Sequence, residues 1–195
     1  GGEHYVAILF ADIRGFTSIS EGKLPYDVVF LLNRYFRATG QAIEAAGGRL
    51  DKFIGDGVMA IFGLNSEPQV ACRQALDAAR RMAAALDDLN EAMSGDIDQP
   101  LRIGIGLHSG PTIVGEMGYA RATHLTAIGD TVNIASRLET LTKDFAAELV
   151  VSQELLDRAG VDLGAHESHD VEIRGRQGRL TVRAVKKVSE LTAMS

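Results

Sequence analysis

The sequence predicts a single α/β domain, a mixed sheet with helices packed on it, and three features carry that expectation. The run Tyr5 to Ala11 is continuously apolar, with aliphatic and aromatic members, as in a strand buried on both faces. Two long stretches, beginning near Pro25 and Glu67, repeat apolar residues at helical spacing. Between them, Gly55-Asp56-Gly57 separates two short apolar runs in the manner of a hairpin.

The elements follow in order. Tyr5 to Ala11 forms the first strand, Asp12 stands at its end, and Arg14-Gly15-Phe16-Thr17 turns the chain. Pro25, well suited to a first helical position, opens a helix whose stripe is Val28, Leu32, Tyr35, Phe36, Thr39 and Ile43. Gly47 and Gly48 stop it. Strands are expected over Arg49 to Ile54 and Val58 to Phe62, then a long helix from Glu67 to Met93. Leu101 to His108 alternates as a strand, and Ile113 to Gly115 is expected to pair with it. Gly118 to His124 is polar and aromatic without a period. A helix over Asp130 to Leu141, a strand over Leu149 to Val151 and a short helix from Gln153 to Arg158 come next. Strands over Ser168 to Ile173 and Arg179 to Val185 close the domain, joined by Arg174-Gly175-Arg176-Gln177-Gly178.

A chain of 195 residues, 46% of them hydrophobic, has room for one real core. The domain is expected over 1–188, with a polar tail over 189–195. The net charge of −6 without a basic tract argues against nucleic acid or an anionic membrane as partner. No apolar run reaches the length of a membrane span, so direct membrane contact from this segment is not expected. The single cysteine, Cys72, has no partner for an intrachain disulfide, which fits a reducing cytoplasm. The abrupt entry into the first strand reads as a domain cut from a longer protein whose regulatory domains lie elsewhere.

Asp12 at a strand end and Asp56 at a hairpin tip converge if their strands are neighbours. Hard cations such as Mg²⁺ take carboxylate oxygens together with substrate phosphates, and usually need only one or two protein carboxylates. Two shared carboxylates can bridge two such ions in phosphoryl chemistry. Aspartate is equally at home in turns and at helix starts, so the surrounding residues have to decide.

Three segments carry a resemblance. Phe10-Ala11-Asp12-Ile13-Arg14-Gly15-Phe16-Thr17, Lys52-Phe53-Ile54-Gly55-Asp56-Gly57 and Ile128-Gly129-Asp130-Thr131-Val132-Asn133-Ile134-Ala135-Ser136-Arg137 resemble, in order, the signature blocks of class III adenylyl and guanylyl cyclases. The likeness runs from Tyr5 to about Val185. It implies a ferredoxin-like core with added elements and a head-to-tail homodimer with shared active sites. It further implies conversion of ATP into cyclic AMP with two divalent ions, Mg²⁺ or Mn²⁺.

The same likeness assigns residues. Asp12 and Asp56, with the carbonyl of Ile13, match the metal ligands. The N–H groups of Gly15, Phe16 and Thr17 match the phosphate cradle, consistent with the affinity of a helix start for anions. Lys52, which by alternation shares a strand face with Leu50 and Ile54, matches the base-reading lysine. A lysine donates to N1 of adenine and fits badly against the N1–H of guanine; guanylyl cyclases of the family carry glutamate there. Thr126 matches the second base-reading position of the bacterial and bicarbonate-responsive soluble subset, although a hydroxyl can donate as well as accept. Asn133 and Arg137 share a helix face and match the ribose ligand and the arginine of the transition state. Arg176 matches the basic residue on the terminal phosphates. Gly118 to His124 matches the arm reaching the partner chain. His108, a lone strand histidine, is not a base in this scheme. The alternatives are a guanylyl cyclase, opposed by Lys52, and an inactive nucleotide-binding regulatory domain, opposed by the intact set Asp12, Asp56, Asn133 and Arg137.

Overall fold

The computed structural model describes residues 2–173 and 178–191. Strand β1 (Gly2–Ile13) is followed by the short helix α1 (Phe16–Ser20) and by α2 (Pro25–Ala45). The hairpin β2 (Arg49–Ile54) and β3 (Gly57–Phe62) leads into α3 (Pro68–Ala92) and β4 (Ile103–Met117). These elements order themselves β2-β3-β1-β4, each strand antiparallel to its neighbour, which is the ferredoxin-like arrangement. β5 (His124–Ile128), α4 (Asp130–Asp144), β6 (Leu149–Ser152), α5 (Gln153–Ala159), β7 (Glu167–Glu172) and β8 (Arg179–Val185) complete the chain. The sheet extends from β4 through β6 and β8 to β7, and β5 doubles back on β4.

β1 lies at the centre. Val6, Ala7, Ile8 and Leu9 are fully buried, so both its faces pack. Ala7, Leu9, Ala11 and Ile13 face the main core with Leu31, Tyr35 and Ile43 of α2 and the alanine-rich side of α3. Val6 and Ile8 face a second cluster with Met59, Ile61, Val114, Ala127 and Ala135. Proline at the first turn of α2 and of α3 costs no hydrogen bond, because that N–H has no partner inside a helix. Ile134, Leu138 and Leu141 of α4 pack on Val150, Leu180, Val182 and Ala184.

α4 rests directly on β4 because β4 carries glycine beneath it. A Cβ built on Gly106 would lie 2.3 Å from the Glu139 backbone nitrogen, and one on Gly110 would lie 2.6 Å from the Thr131 hydroxyl. Close approach of this kind admits no side chain.

One expectation needs correction. Ile113 to Gly115 does not pair with the strand before it but continues it, since β4 is one strand of 15 residues. Pro111 does not interrupt it. β6 pairs with Ile105 to Leu107 and β5 with Ile113 to Met117, so Pro111 sits in the gap between them. On its other side it lies opposite Tyr5 of β1, and its carbonyl accepts from the Thr131 hydroxyl. β5 (His124-Leu125-Thr126-Ala127-Ile128) is an element that the sequence reading does not assign; only His124 at its start falls in the stretch read as having no period. Val188 and Leu191 are buried, so packing continues past the last strand to Leu191. Among the described residues no helix is long and apolar enough to cross a membrane.

Candidate active site

Asp12 and Asp56 are brought together by pairing of β1 with β3, in which Ala11 lies opposite Val58. Asp56 sits at the tip of the β2–β3 hairpin, next to Gly55 in the left-handed conformation that favours glycine. The backbone N–H of Ile13 donates to Asp56 Oδ2 at 3.1 Å, tying the tip to the end of β1. Both aspartates line a cavity of about 240 Å³, closed on the other side by Ser136, Glu139, Thr140 and Lys143 of α4.

Carboxylates outnumber cations in the lining, where Asp12, Asp56 and Glu139 face Lys143. Asp12 Oδ1 is buried without a hydrogen-bond partner. Burial, with the Asp12 charge adding to it, pushes the Asp56 carboxyl up despite the Ile13 N–H. Glu139 is pushed up to about 9, first by burial and then by its hydrogen bond to Asp12 and by the Asp12 charge. The Tyr35 hydroxyl is buried and unpartnered, and burial followed by the charges of Asp12, Asp56 and Glu139 raises it well above its ordinary value. A divalent cation would answer both the orphaned oxygen and the repulsion, and an all-oxygen donor set suits Mg²⁺ or Mn²⁺. Among the described residues no trio of His, Cys, Asp or Glu is disposed to cage an ion alone, so such an ion would need oxygen ligands from a substrate.

Gly15 adopts a left-handed conformation (φ 67°) as the residue capping α1, where Phe16 and Thr17 open the first turn. Their N–H groups have no carbonyl one turn back within the helix. Phe16 packs against the main core and fixes the loop, while Thr17 is exposed.

Lys52 and Thr126 form a separate cluster. Both reach one carboxylate, that of Asp51: Lys52 Nζ lies 3.4 Å from Asp51 Oδ2, and the Thr126 hydroxyl donates to the same oxygen at 2.8 Å. The simple alternation expected for β2 fails here. Leu50 pairs with Ala60 and Lys52 with Met59, leaving Asp51 as the extra residue of a bulge. Lys52 therefore does not share a regular face with Leu50, and Asp51 is the site residue that sequence reasoning missed. Its signal was present, a carboxylate next to a lysine, but only the bulge brings Lys52 round to the side of the strand that Asp51 occupies.

Asn133 and Arg137 are exposed on α4, and neither lines the Asp12–Asp56 cavity. Arg137 has no ion-pair partner among the described residues. Arg176 lies outside the described residues. His108 is buried, with Nδ1 2.7 Å from the Ser152 hydroxyl, which in turn caps α5. Within one chain, then, the aspartates line one cavity, Lys52 and Thr126 meet at Asp51, and Asn133 and Arg137 stand exposed on α4.

Residues 2–186 match the model of the family described as the adenylate and guanylate cyclase catalytic domain. An adenylate cyclase of Anabaena cylindrica is 36% identical over 192 residues, covering 93% of this chain and 36% of that protein. The chain spans well under half the length of the curated relatives it matches. Among solved structures, the guanylyl cyclase Cya2 superposes with a TM-score of 0.87 at 31% identity, covering 100% of this chain and 98% of that one. The adenylyl cyclase CyaB of P. aeruginosa superposes with a TM-score of 0.82 at 28% identity, covering 94% of each chain.

Proposed function

Because the chain belongs to the adenylate and guanylate cyclase catalytic domain family, we propose that it converts ATP into 3′,5′-cyclic AMP and pyrophosphate as a head-to-tail homodimer. The observation that carries this reading is that Lys52 and Thr126, which meet at Asp51, and the exposed Arg137 do not line the Asp12–Asp56 cavity of their own chain. In the proposed dimer the cavity of one copy works with the Lys52–Thr126 cluster and Arg137 of the other. An isologous dimer then has two equivalent sites. Exposed Ile113 and Ile128, a cross-strand pair at the β4–β5 hairpin, and Tyr119 in the arm beyond it offer apolar surface for the second copy.

In this scheme Asp12, Asp56 and the Ile13 carbonyl would hold two Mg²⁺ or Mn²⁺ ions, which when bound would supply charge neutralisation at the triphosphate and a lower pKa for the ribose 3′-hydroxyl. The N–H groups of Gly15, Phe16 and Thr17 hold phosphate oxygens at the start of α1. From the partner, Lys52 donates to adenine N1 and Thr126 accepts from the 6-amino group. Asn133 orients the ribose, so that the 3′-oxygen lies in line with the α-phosphorus. Arg137 offers a planar fork to the charge that grows on the α-phosphate oxygens. Arg176 extends the grip to the terminal phosphates.

A guanylyl cyclase is the second reading, favoured by the likeness to Cya2 and opposed by Lys52, which suits an acceptor at N1. Cyclic AMP and cyclic GMP production with Mg²⁺ and with Mn²⁺, followed across protein concentration, tests both. Cyclic AMP is expected to dominate, with specific activity rising with concentration as dimers form. Dominant cyclic GMP, or activity independent of concentration down to the monomer range, would overturn the corresponding part. The cytoplasm is the proposed location of this catalytic segment, with regulatory domains elsewhere in the protein.

A further inference from the structure

Thr126 is an ambiguous reader of a base, because a free hydroxyl rotates and both donates and accepts. Here it is not free. Its proton points to Asp51 Oδ2 at 2.8 Å, and the Asp51 side chain has no exposure to solvent, whereas that of Lys52 is 38% exposed. Thr126 is the donor in that bond, and Lys52 Nζ lies 3.4 Å from the same oxygen. Thr126, itself buried within one chain, therefore spends its one proton on Asp51 and has only lone pairs left for a second partner. The bulge makes this possible: in an unbroken strand Asp51 and Lys52 would point to opposite faces, and here both approach one point.

We infer that Asp51 is a specificity-determining positioning residue, which holds the Thr126 hydroxyl as an acceptor and so makes the site select a 6-amino purine over a 6-oxo purine. Adenine offers a donor at its 6-amino group, while guanine offers the acceptor O6. An acceptor facing O6 leaves two lone pairs opposed in a desolvated site, and mismatches of this kind discriminate strongly. The inference rests on the adenine reading above and adds the residue that makes Thr126 unambiguous. Asp51 touches no part of the nucleotide in this scheme, so it acts through Thr126.

The test compares kcat/KM for ATP, GTP and 6-methoxypurine riboside triphosphate, which keeps N1 as an acceptor but replaces the amino donor with an ether oxygen. Wild-type protein is expected to use the methoxy substrate about tenfold or more worse than ATP. Asp51→Ala is expected to narrow that gap to within a few-fold, because the hydroxyl becomes free to donate. Asp51→Asn, which keeps a carbonyl acceptor for the Thr126 proton, is expected to restore most of the gap. A purely structural role for Asp51 would lower all three rates alike and leave their ratios unchanged, and that result would overturn the inference. So would wild-type protein that uses the methoxy substrate as well as ATP, a measurement that needs no variant to fold. Wild-type preference for GTP sinks the adenine reading itself. Preference for ATP with unaltered ratios in Asp51→Ala sinks only the role of Asp51.

Discussion

Gly106 lies directly beneath Glu139, so close that a Cβ on the glycine would come within 2.3 Å of the Glu139 backbone nitrogen. The obstacle is backbone, which cannot swing aside. Gly106→Ala is expected to lift α4 from β4 and destabilise the protein by about 1–3 kcal/mol, the usual cost of overpacking. Thermal denaturation measures it. An unchanged melting temperature would contradict the contact.

Asp12 and Asp56 illustrate a site held together against its own charge. Asp56→Asn is expected to lower cyclase activity by about 100-fold or more, on the scale of losing a transition-state contact. The same change removes a charge that burial and Asp12 both disfavour, so the melting temperature of metal-free protein is expected to stay level or rise. Parallel loss of stability and activity would mean that Asp56 is a structural residue.

The division of the site between chains has a direct consequence for mixtures. Asp56→Ala and Arg137→Ala homodimers are each expected to be inactive. Mixed and allowed to exchange, they form heterodimers with one intact site, and activity is expected to recover to about a quarter of wild type if subunits combine at random. Continued inactivity of an exchanged mixture would rule out shared sites.

Cys72 is fully buried on α3, and burial pushes its thiol up, outweighing its hydrogen bond with Ser109 and the pull of Arg158. Reactivity follows the thiolate and access to it. A disulfide-exchange reagent at pH 8 is expected to leave the native protein unlabelled and to modify one thiol per chain on denaturation. Stoichiometric labelling in native buffer would contradict the packing.

Much of this was legible in the sequence because it rests on local patterns. Pro25 marked the first turn of α2, and the boundaries of β2, β3, α3 and β8 fall within a residue or two of the apolar patterns that mark them. The hairpin glycines located Asp56 correctly at a tip. What escaped depends on pairing across the chain. Gly110-Pro111 reads as a break, and only the gap between β5 and β6 makes it a harmless position within β4. Strict alternation put Lys52 on a face with Leu50, whereas a bulge, invisible to alternation, brings Asp51 beside it. The Asp51–Thr126 hydrogen bond spans 75 positions and leaves no mark in either local sequence.

The unbroken length of β4 sets a scale for the whole assembly. Near one end Gly104 stands opposite Asp12, and near the other Gly115 stands opposite Thr126. In the proposed dimer those two neighbourhoods serve different clefts, so each β4 acts as a ruler with one mark in each. A one-residue insertion in it would move the marks apart and turn every following side chain to the opposite face. Both clefts would lose register together, because each draws on one end of β4 from either copy.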